Sequence, residues 1–213
     1  MTDDAAAPAL TGGALTRSRI LDAAARLMST AGIVRTTTKE IARAAGCSEA
    51  ALYKHFRDKE EIFVRVLHER APRLAQAVTE LPGRAGDGEV AGHLREVVGI
   101  AVRFYRESFP MAASLFASPE LLAAHRRKLV PGTGPEVPTR HLADYLRAEQ
   151  HLGRVAADVD ADAAATLLIG ACFHRAFLDL FFDAAATSGP QDDERFAAGI
   201  VRAALGGIAA DQH

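Results

Sequence analysis

Apolar positions along the chain recur at spacings of three and four residues, and no segment keeps a period-two alternation bounded by turns. Ile20, Ala23, Ala24, Leu27 and Met28 form the first stripe, on a helix that begins at Thr16 and stops at Gly32. Thr37 with Glu40 three residues later fits a capping box and predicts a second helix over 38–45, ended by Gly46. Ser48 caps a third helix through His55, and Asp58 caps a fourth that runs from Lys59 towards Leu81. The stretch PGRAGDG at 82–88 breaks the pattern. Helical spacing then resumes over 89–108, 110–117, 119–129, 136–152, 161–186 and 192–208, separated by Pro110, Pro119, PGTGP at 131–135, Gly153 with its followers, and SGP at 188–190. The expected fold is all-α, with roughly nine or ten helices.

The second and third helices are about two turns each, too short to persist alone in water. Ile41 with Ala45, and Leu52 with Phe56, give each an inward face against the first helix. Two short helices joined by a tight Gly-containing turn and packed on a third make a helix-turn-helix, whose second helix enters the major groove of DNA. Ala50 and Ala51 let that helix approach base edges closely, and an alanine methyl packs on a thymine methyl. Tyr53, Lys54, His55 and Lys59 follow where phosphate contacts fix register, and Thr38 and Lys39 open the preceding helix.

Charge sharpens this picture. The chain has a net charge of −2, yet residues 17–66 hold ten Lys/Arg against six Asp/Glu, while the remainder is acidic. A basic module joined to an acidic one suits nucleic-acid binding. Nearly half of the residues are apolar, at 49%, which excludes a disordered chain. The two cysteines, Cys47 and Cys172, are too far apart in sequence for a disulfide framework or a zinc spacing. Cys47, in the turn between two helices, reads first as a small core residue and second as a redox-sensing thiol. His93, His125, His141, His151 and His174 show no metal-ligand spacing on one helix, so neither a metal nor a cofactor is expected. No basic, apolar leader opens the sequence, and Arg175 and Asp179 interrupt its longest apolar run, so the expected setting is the cytoplasm and not a membrane.

The run T-x-x-x-A-x-x-A-G-x-S-x-x-x-L-Y-x-H-F-x-x-K-E, here Thr38, Ala42, Ala45, Gly46, Ser48, Leu52, Tyr53, His55, Phe56, Lys59 and Glu60, resembles the TetR/AcrR family of transcriptional regulators. RSRILDAAARLMSTAG at 17–32 is similar to the family's first helix, and GRVAADVDADAAATLLIGA at 153–171 to the entry into its penultimate helix. The resemblance implies a homodimeric DNA-binding regulator, usually a repressor, with a small-molecule site in its C-terminal domain. The expected organisation is a flexible tail over 1–13, a helix-turn-helix DNA-binding domain over 14–62 and a ligand-binding and dimerisation domain over 63–213. By position the resemblance implies DNA contacts from Thr38, Lys39, Glu49, Ala50, Ala51, Tyr53, His55 and Lys59, and Ser48 and Lys54 complete the expected contact set. Cys47 departs from the Val or Ile usual there. Glu49 departs too, and an acid facing a polyanion costs affinity unless it accepts a hydrogen bond, as from cytosine N4.

In the second half, Phe104, Tyr105, Met111, Leu115, Phe116, Tyr145, Phe173 and Phe177 are candidates to line an apolar pocket, with His125 and His141 as polar members. The last two helices alternate small and large apolar residues, and the family resemblance assigns them to a dimer interface. A two-fold dimer then reads a pseudo-palindromic operator. The fourth helix, with Lys59 near DNA and Leu74 or Val78 near the pocket, would carry the coupling between an unknown effector and DNA. Two other readings remain: a regulator that activates or needs no small molecule, and an α-helical carrier or enzyme for an apolar molecule. The second lacks any Ser-His-Asp set, Gly-rich phosphate loop or paired carboxylates.

Overall fold

Short capped helices and long apolar ones alternate through a computed structural model that describes residues 12–69, 72–130, 132, 134–184 and 189–206. No strand occurs among them. They divide into two compact units, one holding the residues up to Glu69 together with Pro110–His125, the other holding 72–109 and the chain from Arg126 onward.

In the first unit, α1 (Gly12–Arg35) packs along α4 (Lys59–Glu69), with α2 (Thr38–Ala44) and α3 (Glu49–Tyr53) set against them. The core joins Ile20, Leu21, Ala24 and Met28 to Ile41, Leu52, Phe56, Ile62 and Phe63, and is completed by Met111, Leu115 and Leu121. Helix α1 begins earlier than its pattern suggested, taking in Gly12 and Gly13 of the expected tail; residues 1–11 lie outside the described residues. Its regular part ends at the expected place. Gly32 has φ 74° and ψ 163°, and a Cβ there would run into Ser114.

The second unit holds α5 (Pro72–Glu80), a 3₁₀ turn over Leu81–Arg84, most of α6 (Val90–Phe116), the end of α7 (Pro119–Lys128), α8 (Val137–His151), α9 (Ala161–Phe181) and α10 (Pro190–Gly206). Its core runs through Leu74, Val78 and Leu81, Val97, Val98, Ala101 and Val102, Leu142, Tyr145 and Leu146, and Leu168, Ile169 and Cys172, closed by Ala197 and Val201.

Helices α4 and α5 occupy the stretch where one helix was expected from Asp58 towards Leu81; residues 70 and 71 between them lie outside the described residues. One proline acts differently from expectation: Pro110 does not separate two helices but sits inside α6. It forfeits one backbone hydrogen bond there, yet buried residues flank it, Val102 before and Met111 and Leu115 after. Helix α3 stops at Tyr53, short of the expected His55, and α9 stops at Phe181, short of the expected 186. Helix α9 does reach membrane-spanning length and hydropathy, with 21 residues and a mean hydropathy of 1.4. Arg175 and Asp179 pair one turn apart on it, and its other face packs in the core, so it passes this test as core helices of soluble proteins also do.

Candidate nucleic-acid interface

The α2–turn–α3 segment is fixed by local chemistry before any tertiary contact. Thr37 Oγ1 accepts the N–H of Glu40 at 3.2 Å, and Glu40 Oε2 accepts the N–H of Thr37 at 2.9 Å, closing the capping box. Those hydrogen bonds, first the one from the Thr37 backbone, hold the Glu40 carboxyl below its ordinary pKa. At the far end of α2 the N–H groups of Gly46 and Cys47 turn back to the carbonyls of Arg43 and Ala42, which requires φ 67° at Gly46. Ser48 Oγ then accepts the N–H of Ala51 at 3.1 Å and starts α3. Asp58 Oδ1 starts α4 in the same way, accepting the N–H of Glu61 at 2.6 Å.

This geometry buries Ile41, Ala42, Ala45, Leu52 and Phe56 and turns the other side of both helices outward. Lys39, Ser48, Ala50, Tyr53 and Lys54 are exposed; Thr38, Glu49, Ala51, His55 and Lys59 are half-buried. Thr37, Thr38, Tyr53, Arg57, Asp58 and Lys59 line a surface hollow of about 340 Å³. Within it, Tyr53 OH lies 3.2 Å from Thr38 Oγ1, and Thr38 Oγ1 donates to Glu49 Oε1 at 2.6 Å. Lys59 Nζ donates to the Val34 carbonyl at 3.4 Å. Arg57 is an addition that sequence reasoning missed; its guanidinium pairs with Glu61 at 3.1 Å one turn along. The only signal for it was its place beside the basic residues already chosen. Cys47 packs, half-buried, against the core of this unit.

The candidate pocket residues divide between the two units. Met111 and Leu115 belong to the first unit's core, and His125 stands edge-on to Phe63 with ring centroids 5.8 Å apart. Phe116 is largely exposed. In the second unit, Phe104 and Tyr105 pack against the core, His141 is half-buried on α8, and Tyr145 is fully buried with its hydroxyl 3.0 Å from His93 Nδ1. Burial pushes the Tyr105 phenol up to about 12. An aromatic row runs from Tyr105 through Phe173, Phe109 and Phe177 to Phe181, with successive ring centroids 5.5, 5.2, 5.7 and 5.7 Å apart. Its α9 members form an exposed apolar stripe with Leu167, which is 70% exposed; Phe173 is 45%, Phe177 38% and Phe181 69% exposed.

Two buried ionic groups were invisible in the sequence. Arg106 on α6 meets Asp179 at 2.6 Å and Asp193 at 2.9 Å, and Arg175 holds the other oxygen of Asp179 at 2.8 Å. These carboxylates, Asp193 foremost, raise the pKa of the Arg106 guanidinium. Glu149, fully buried, has Arg154 Nε 3.2 Å from one oxygen and the Gly86 N–H 3.4 Å from the other. Arg175–Asp179 has a helical spacing that the chain displays and Arg154 lies close to Glu149 in sequence, but Arg106 is 73 positions from Asp179 and 87 from Asp193, and Gly86 is 63 from Glu149.

Residues 20–66 match the family described as bacterial regulatory proteins, tetR family, and residues 111–207 match the C-terminal domain of AefR-like transcriptional repressors. The chain belongs to the TetR/AcrR family of transcriptional regulators. Among TetR-family relatives it is 35% identical over 83 residues to the HTH-type transcriptional regulator AcrR of Shigella flexneri, across 39% of this chain and 38% of that protein. It is 27% identical to an HTH-type transcriptional repressor of Mycobacterium tuberculosis over 85% of this chain and 87% of the relative. Against the first of these relatives the chain thus spans well under half of the relative's length. Its fold is that of a TetR-family regulator from Mesorhizobium loti, with a TM-score of 0.71, 23% identity and coverage of 92% and 98% of the two chains. It is also that of FadR from Bacillus subtilis in complex with stearoyl-CoA, with a TM-score of 0.68, 16% identity and coverage of 90% and 99%.

Proposed function

We propose that this TetR-family regulator is a homodimeric repressor that binds a pseudo-palindromic operator and leaves it when an apolar small molecule binds the C-terminal unit. The observation that carries the DNA part is the clustering of Thr38, Tyr53, Arg57 and Lys59 around one hollow beside the outward face of α3. Hydroxyl and cationic donors so grouped suit phosphate, and the exposed Ala50 beside them suits close approach to base edges. Lys39, Ser48, Lys54 and His55 extend the same face, with Ala51 behind Ala50.

The exposed stripe of Leu167, Phe173, Phe177 and Phe181 on α9 supports the homodimer, since soluble proteins seldom leave such a row to water. It also supports assigning Phe173 and Phe177 to that interface and leaving Phe104, Tyr105 and His141 as the residues for an effector. The burial of Met111, Leu115 and Tyr145 supports packing roles for them. That FadR of Bacillus subtilis holds stearoyl-CoA makes long apolar acyl compounds the first class to try. A regulator of this kind works in the cytoplasm.

The test is binding of the purified protein to a duplex carrying its own promoter, at several salt concentrations, beside Tyr53→Ala. The expected result is saturable binding that falls with salt, and a loss of about tenfold on removing the tyrosine. Binding that is absent from the promoter and from genomic fragments alike, even at low salt, would remove the DNA reading.

A further inference from the structure

Thr38, Tyr53 and Glu49 form a chain in which every proton can be assigned. A hydroxyl has one proton to give, and a carboxylate has none. Thr38 Oγ1 gives its proton to Glu49 Oε1 at 2.6 Å, within the range of a charge-assisted bond. Tyr53 OH is 3.2 Å from the same threonine oxygen. With the threonine proton committed, the tyrosine is the donor of that pair, so its proton also points inward. Its length makes it the weaker bond of the two. Both hydroxyls in the hollow therefore turn lone pairs outward. Phosphate oxygens are acceptors, and they need donors.

Resting on the DNA-binding reading, we infer that Glu49 is a specificity-determining residue that competes with the DNA backbone for the Thr38 and Tyr53 hydroxyl protons. On arbitrary DNA the carboxylate finds no replacement donor, the chain stays closed, and the hollow offers a phosphate only its cations. At a site where a cytosine N4 amino group faces the start of α3, the carboxylate accepts from the base instead. Thr38 and then Tyr53 are released to donate to phosphate. A base contact thereby switches on backbone contacts that carry no sequence information themselves.

The experiment is a set of binding titrations of the full chain to a random-sequence duplex. Glu49→Ala removes the competitor, and Glu49→Gln removes the charge while keeping an acceptor for Thr38. Each is made also in a Thr38→Val background, and thermal unfolding checks that each variant folds. The expected result is about tenfold tighter binding for Glu49→Ala, a clearly smaller gain for Glu49→Gln, and little gain from either once Thr38 is valine. Equal gains from Ala and Gln that persist beside Thr38→Val would mean simple relief of charge repulsion and would overturn the inference. So would a loss of affinity, which would make Glu49 a structural brace. A wild-type chain that binds no duplex at low salt would bring down the DNA reading beneath it; wild-type binding without the expected pattern would bring down this inference alone.

Discussion

Glu61 illustrates how much a single side chain does at the α3–α4 junction. Its carboxylate accepts the Arg57 N–H at 2.9 Å and the Arg57 guanidinium at 3.1 Å, while its own N–H is held by Asp58. The backbone bond from Arg57 is the main cause that lowers its pKa from 4.5, against an opposing desolvation. A carboxyl with a lowered folded pKa stabilises fully above its unfolded value and loses that contribution as pH falls through the folded one. Glu61→Gln should therefore lower the unfolding temperature at neutral pH. The difference from wild type should shrink below about pH 4. Thermal melts across pH 3–7 read this, and a difference that stays constant with pH would assign the effect to packing. The residue-scale readings that succeeded in the sequence were of this local kind. The capping roles of Thr37, Glu40, Ser48 and Asp58 depend on partners three residues away. The hydrogen bond from Thr38 to Glu49 spans a turn and needed the fold to reveal it.

At the scale of elements, α3 is five residues long and owes its existence to its surroundings. Ser48 caps it, and Leu52, with no exposure, pins it to Ile20, Ile41 and Phe56 among others in the first core. Leu52→Ala should cost about 2–5 kcal/mol of stability, measured by urea unfolding. DNA affinity should fall with it, because the outward face of α3 has no other anchor of that size. Folding with a cost under about 1 kcal/mol would show that the site collapses around the lost volume. Pro110 marks the limit of legibility here. In sequence it reads as a break between two helical runs. What carries the helix through it is the burial of Met111 and Leu115 just after it, and those residues find their partners in α1–α4 only through the fold.

At the scale of the molecule, an N-terminal helix-turn-helix part followed by a C-terminal helical part was legible from motif and pattern, whereas the membership of 110–125 in the first compact unit was not. An exposed aromatic row on α9 gives the proposed dimer its own test. Leu167→Glu together with Phe177→Glu should shift the protein towards monomer in sedimentation velocity without unfolding it, because both side chains lie outward. Half-sites bound by separate monomers lose the advantage of linkage, so operator affinity should fall by about a hundredfold or more. A dimer that survives both charges would place the self-association surface elsewhere.

The first core has a practical consequence for anyone who treats the family's N-terminal part as a detachable reading head. Met111, Leu115 and Leu121 fill that core from the far side of forty intervening residues, roughly counted, and Gly32 closes against Ser114 of the same segment. A graft that moves only the helix-turn-helix and α4 onto another effector domain would leave Phe63, Met28 and Ile33 without their cover. Chimeric regulators built from this chain should therefore exchange 110–125 along with the N-terminal helices, so that sequence and seam are transplanted together.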